Sequence, residues 1–163
     1  VDRPVHPDPL LGELRMCMRG SLSASVVLSR KRASEGLYPA IDPLASTSVM
    51  LSASVVGQRH YDIARAVRKT LASYEDLRDT IAMLGLEELS ATDRTTVAQA
   101  RRLERFLTQP FFTTEAFSEY KGYRVSLEET LAGCEQILNA TMFTDSESDY
   151  YMIGALKRRG GSV

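Results

Sequence analysis

A chain of 163 residues with 44% hydrophobic side chains is long enough for one domain with its own core and a piece of a second. Its 20 basic and 21 acidic side chains leave a formal net charge of -1, which excludes a general attraction to nucleic acid or to an anionic membrane. No run of eighteen apolar residues occurs and the opening has no basic-then-apolar signal pattern, so neither a membrane span nor secretion is expected. Cys17 and Cys134 are accordingly expected as reduced thiols, and His6 and His60 do not form a metal-ligand cluster with them.

In chain order, 1–22 carries Pro4, Pro7 and Pro9 and no clear period, and is expected to lie outside the fold or to be poorly ordered. Ser25-Val26-Val27-Leu28-Ser29 reads as a short buried strand, and Arg30 to Ser34 as a brief helix. Leu37 to Leu44 contains Pro39 and Pro43, each of which turns the residue before it away from helix, so this stretch is expected to be extended.

From about Val56 the period becomes helical. Ala64, Val67, Leu71, Tyr74, Leu77, Ile81 and Leu84 recur at steps of three and four and predict one buried stripe, closed by a cap at Gly85. Ser90 to Asp93 has capping-box spacing and opens a second helix, with Val97, Ala100, Leu103 and Leu107 inward and a stop at Pro110. The two helices make a hairpin around a short acidic turn. Phe111, Phe112 and Phe117 form an aromatic segment. Ser126 to Glu129 is a second capping box, for a helix with Leu127, Leu131, Cys134 and Leu138 inward. A last helical stretch is expected from Glu147 to Leu156, before a frayed tail. The residues alone thus predict a mainly α chain: a strand-and-loop piece followed by a bundle of five or so helices. No phosphate-binding G-x-x-x-x-G-K-[ST] loop, G-x-S-x-G, G-x-G-x-x-G or His-Glu-x-x-His motif is present.

Several segments together carry a resemblance. They are Val27 to Arg30 with Gly36 to Leu44 (GLYPAIDPL), Val56-Gly57 with His60-Tyr61 and Ala64-Arg65, Asp79 to Leu89 (DTIAMLGLEEL), Ala100 to Phe112 (ARRLERFLTQPFF), and Tyr151 to Gly154. In this order and spacing they resemble the C-terminal portion of the catalytic beta subunit of F-type ATP synthases, over about four-fifths of the chain. The resemblance implies that 23–54 is a remnant of the α/β nucleotide-binding domain, 55–156 the C-terminal helical domain and 157–163 a tail. It implies ATP or ADP with Mg2+ as the ligands of the whole subunit, the alpha subunit and the central-stalk gamma subunit as partners, and no nucleic acid. It also places the complex on the inner, cytoplasmic face of the bacterial plasma membrane, coupled to proton or sodium transport, with no insertion of this chain into the bilayer.

Position by position, Tyr38 matches the tyrosine that lies on adenine, and Phe111 and Phe117 match the aromatics that complete that pocket. Flat π faces suit the role because they stack on a purine without reading its hydrogen bonds. Glu87, Glu88, Leu89, Ser90 and Asp93 match the loop that pushes on the stalk, although Ala91 and Thr92 stand where acids are common. Ala45 and Val49 also depart from the family, replacing an aspartate and an arginine. The phosphate-binding lysine, the magnesium-binding threonine and the glutamate that orients water have no counterpart before Ser25, so no catalytic residue and no metal ligand is assigned, and the chain by itself is expected to be inactive. The alternative reading is a non-catalytic helical protein-interaction module.

Overall fold

A computed structural model describes residues 22–156, so the expectations for 1–21 and 157–163 lie outside the described residues. The architecture is mainly helical. β1 (Ala24–Ser25) and β2 (Thr47–Ser48) make a two-stranded antiparallel pair, with Ala24 opposite Ser48. α1 (Arg30–Ser34) and α2 (Ala53–Val56) are single turns, and the body is α3 (Gln58–Leu84), α4 (Ala91–Phe106) and α5 (Leu127–Asn139).

α3 starts at Gly57, whose φ of 84° lets the chain turn sharply out of α2, and runs 27 residues, about 40 Å at 1.5 Å per residue. Ile63, Val67 and Leu71, spaced by four, are its buried stripe. They meet Ala100, Leu103 and Phe106 of α4 and Leu131, Cys134 and Ile137 of α5 in one core. Burial of each large aliphatic there is worth about 1.5–3 kcal/mol. α5 lies along the N-terminal half of α3, where Arg59 pairs with Glu128 and with Glu135. Its 13 residues are too short to cover the other half. That is why Leu84, expected in the stripe, is exposed.

Both helix starts predicted from capping residues are present. Ser126 and Glu129 form the complete box, the Glu129 backbone N–H donating to the Ser126 hydroxyl and the Glu129 carboxylate accepting from the Ser126 N–H at 2.8 Å. The Ser90 hydroxyl accepts from the Asp93 N–H at 3.1 Å, but the Asp93 carboxylate takes the Ser90 hydroxyl proton rather than its N–H, so only half of the box forms.

Four further expectations are corrected. The Ser25–Ser29 strand is reduced to two residues plus a bridge from Leu28 to Ile41, and it is not buried: Val26 and Leu28 are exposed, because no second sheet layer covers them among the described residues. Leu107 caps α4 half-exposed, and Phe106 fills the core in its place. Leu127 is exposed at the rim beside the ion-paired Glu128, and Ile137 is the buried residue at the far end of that stripe. The expected helix over Glu147 to Leu156 is a single 3-10 turn, Glu147–Tyr150. It stops because Met152 and Gly154 take φ of 55° and 74°, and the Met152 N–H goes to the Thr108 hydroxyl at 2.9 Å instead of a helical carbonyl.

The segment before α2 is bound to the bundle by polar contacts. Arg68 of α3 donates to the carbonyls of Pro43 at 2.7 Å, Ser46 at 2.8 Å and Leu44 at 3.0 Å. The Tyr151 hydroxyl donates to the Gly36 carbonyl at 2.8 Å. Five donors in a fixed fork suit arginine to this gathering of carbonyls, which a helical period does not register.

Cys134 is buried in the core and unpaired. Burial pushes its thiol up to about 11, so almost no thiolate exists at pH 8. Native Cys134 should stay unmodified by iodoacetamide at pH 8 over a period in which the urea-unfolded chain is alkylated to completion, as read by peptide mass mapping. Comparable labelling of both forms would refute its placement. The linkage follows the same sign: with the folded thiol held above the unfolded one, this group's contribution to stability is intact below about pH 9 and falls away toward pH 11.

Candidate functional site

Two surfaces hold the residues singled out from the sequence. The first is built where the Tyr38 segment meets the end of α4. α1 delivers the chain into Gly36, whose φ of 75° turns it, and the Leu37 N–H returns to the Arg32 carbonyl at 2.9 Å. Leu37 is buried, which anchors the segment, while the Tyr38 ring beside it stays 46% exposed. The peptide bond between Tyr38 and Pro39 is cis. The Gln109 N–H donates to the Tyr38 carbonyl at 2.8 Å, which joins the Tyr38 segment to the stretch leading into Phe111, itself 39% exposed.

Beyond Phe111 the chain makes a 3-10 turn, Phe112–Thr114, and then doubles back. The Tyr123 N–H reaches the Pro110 carbonyl at 3.3 Å, and the Gln109 side-chain amide donates to the Tyr123 carbonyl. Gly122 allows this return, since a Cβ there would lie 2.5 Å from the Phe112 ring. The result is a shallow cavity of about 380 Å³ lined by Pro110, Phe111, Phe112, Tyr123 and Arg124. Phe117 is 94% exposed, farther along the same loop. The fold therefore joins the Tyr38 backbone to the segment that carries Phe111, and leaves Phe117 in solvent. Tyr123 and Arg124 were not foreseen. An aromatic beside a cation after Gly122 is their only signal in the sequence, and it is a weak one.

The second surface is the tip of the α3–α4 hairpin. Gly85 has φ 85° and ψ 171°, and the 3-10 turn Leu86–Glu88 follows. Glu87 and Glu88 point outward, and Leu89 turns inward, 6% exposed. Ser90 and Asp93 are engaged with each other at the start of α4. Met83, Leu84 and Leu86 are exposed around the acids, so the tip is an apolar knob with two free carboxylates rather than a purely acidic one.

Half-exposed aromatic residues such as Tyr38 and Phe111 offer π faces on which a flat heteroaromatic group can stack. Among the described residues no group of three or more His, Cys, Asp or Glu is placed to hold a metal ion. Nor is any described helix long and apolar enough to cross a membrane.

A long helical hairpin closed by a third helix, with a strand-and-loop piece clamped to its side, is the architecture of a helical C-terminal domain. The sequence model for the C-terminal domain of V and A type ATP synthase matches residues 50–149, and the chain belongs to this family. Its sequence corresponds to the C-terminal part of ATP synthase beta subunits. It is 77% identical to ATP synthase subunit beta 2 of Nitrosomonas eutropha over 142 residues, 87% of this chain and 29% of that protein. It is 75% identical to ATP synthase subunit beta 1 of Dinoroseobacter shibae over 135 residues, 83% of this chain and 29% of that one. The chain thus spans under a third of the length of these curated relatives. Among solved structures it resembles the ATP synthase subunit NeqB from Nanoarcheaum equitans, with a TM-score of 0.60 and 25% identity over 74% of this chain and 30% of that one.

Proposed function

We propose that this chain supplies two working surfaces of the catalytic beta subunit of a rotary, ion-translocating F-type ATP synthase: the adenine-facing edge and the tip that meets the central stalk. The observation that supports the reading is the Gln109–Tyr38 backbone bond, which joins the half-exposed Tyr38 to the segment carrying the half-exposed Phe111. Tyr38 and Phe111 stack on the adenine of ATP or ADP. Phe117 joins them when its loop folds inward. Residues 23–54 belong to the nucleotide-binding domain, and the phosphates and Mg2+ are met by groups that this sequence does not carry. Glu87, Glu88 and the apolar Met83 and Leu84 press on the gamma subunit, and an alpha subunit is the second partner. The assembly is peripheral to the cytoplasmic face of the plasma membrane, and catalysis requires the rest of the subunit.

Stacking alone contributes about 1–3 kcal/mol per aromatic contact, so MgATP should bind this chain with a Kd of about 1–10 mM. In an aromatic-ring NMR titration, the Tyr38 and Phe111 signals should move saturably with MgATP. They should not move with magnesium tripolyphosphate, which has the charge and no base. Equal shifts with both ligands, or none with ATP, would sink the adenine reading and favour a helical interaction module working through the hairpin tip.

A further inference from the structure

The Tyr38 segment is held from below in an unusual way. Under it lies a cavity of about 200 Å³, walled by Leu37, Pro39, Ile41, Pro43, Leu71 and Leu107 and by the side chains of Arg32 and Glu104. Leu37 is buried at the start of the segment, and beyond it the cavity interrupts the packing along Pro39, Ile41 and Pro43. Beside the Arg68 and Tyr151 contacts given above, two further polar ties join this part of the chain to α4 and to the residues that follow it. Arg32 of α1 donates to Glu104 of α4 at 3.0 Å, with side chains only 17% and 12% exposed, and the Gln109 N–H donates to the Tyr38 carbonyl at 2.8 Å. Arg32 is itself tied to the loop, its carbonyl accepting from the Leu37 N–H next to Tyr38. Glu104 lies five residues before Gln109, on the helix that leads into Phe111.

We propose that Arg32 and Glu104 are positioning residues of the adenine edge: their ion pair holds the Tyr38 segment above the cavity at the spacing from Phe111 that a base requires. This rests on the adenine reading given above. Surface ion pairs contribute little to geometry, but a pair this enclosed is fixed by its surroundings and is disruptive to break. Burial raises the Glu104 carboxyl above its ordinary range, with nearby Glu35 acting in the same direction, while Arg32 and Arg78 oppose both. The rest of that wall is charged as well: Arg101, Arg105 and Glu147 line the neighbouring cavity that Glu104 also borders.

The test uses the whole chain and the substitutions Glu104→Gln, Arg32→Met and Arg32→Lys, with two readouts. Hydrogen exchange at the Gln109 amide reports on the segment without nucleotide, and the MgATP titration reports on the site. In Glu104→Gln and Arg32→Met the Gln109 amide should exchange about tenfold faster while the Val97 and Leu103 amides hold within about twofold. The MgATP midpoint should weaken about fivefold in the same two variants. Arg32→Lys, which keeps the charge, should stay near the wild type in both measurements. An unchanged Gln109 rate overturns the proposal, and so does a faster rate with an unchanged MgATP midpoint. A wild-type chain blind to MgATP removes the adenine reading and with it the positioning role. That failure is recognised because the Gln109 rate still responds to Glu104→Gln.

Discussion

Arg102→Ala is expected to destabilise the fold by about 2–3 kcal/mol and to release the stretch from Phe143 to Tyr150 from α4. Arg102 is only 7% exposed. One guanidinium nitrogen donates to the Ala98 carbonyl at 3.0 Å and another to the Asp145 carbonyl at 2.7 Å. The group sits 4.0 Å over the Phe143 ring and 5.8 Å from that of Tyr150. A hydrogen bond from a charged donor is worth about 1.5–3 kcal/mol and a desolvated cation–π contact up to about 2 kcal/mol. Against these stand the cost of burying the charge and a buried Nε that has no partner. For a chain of this length the net loss should lower Tm by about 5–10 °C in a thermal scan. Arg102→Lys should recover less than half of it, since an ammonium lacks the flat fork that serves rings and carbonyls together. A Tm within about 1 °C of the wild type for Arg102→Ala would show that the contacts are energetically idle.

Gly133→Ala should also destabilise, although alanine is the better helix former by about 1 kcal/mol. Gly133 lies mid-α5 against α4, and a Cβ there would come 2.2 Å from Phe106 Cζ, with two more ring carbons at 2.7 and 3.0 Å. The Phe106 ring is 3% exposed in the core and has little room to retreat. Overpacking of this kind costs about 1–3 kcal/mol and sometimes more, and the closeness of the contact puts it at the upper end. The expected net loss is about 2 kcal/mol by urea titration, with the urea dependence unchanged. Adding Phe106→Leu should relieve the clash, leaving the double variant more stable than the sum of the two single losses allows. A rise in stability for Gly133→Ala alone would mean that the helices part at no cost.

The hairpin and its third helix were legible because apolar spacing and capping serines are local signals. Val67, Leu71, Val97, Leu103 and Leu131 fall on the expected faces, and Ser126 with Glu129 forms the expected box. What spacing misses is the length of the neighbour. Leu84 continues the stripe of α3 past the point where α5 can cover it, and Leu107 yields its place to Phe106 at the helix end. Charged residues that serve as core are equally hidden. In a sequence with 25% charged side chains nothing distinguishes Arg102, Arg68 or the Arg32–Glu104 pair from solvated neighbours. The candidate site was legible only through a resemblance spread over many segments. No spacing rule links Tyr38 to the segment of Phe111, since the two are joined by a backbone bond between distant parts of the chain.

The phenol of Tyr151 on the Gly36 carbonyl spans 115 positions of sequence. At roughly 5–20 residues per second, a ribosome makes the second partner about 6–23 s after the first. Met152 on Thr108 belongs to the same late group. During synthesis the helical hairpin therefore has all its parts while the Tyr38 segment still lacks its last fastening. A nascent chain arrested before Tyr151 would carry a formed α3–α4 pair and a Tyr38 segment that protease can still reach.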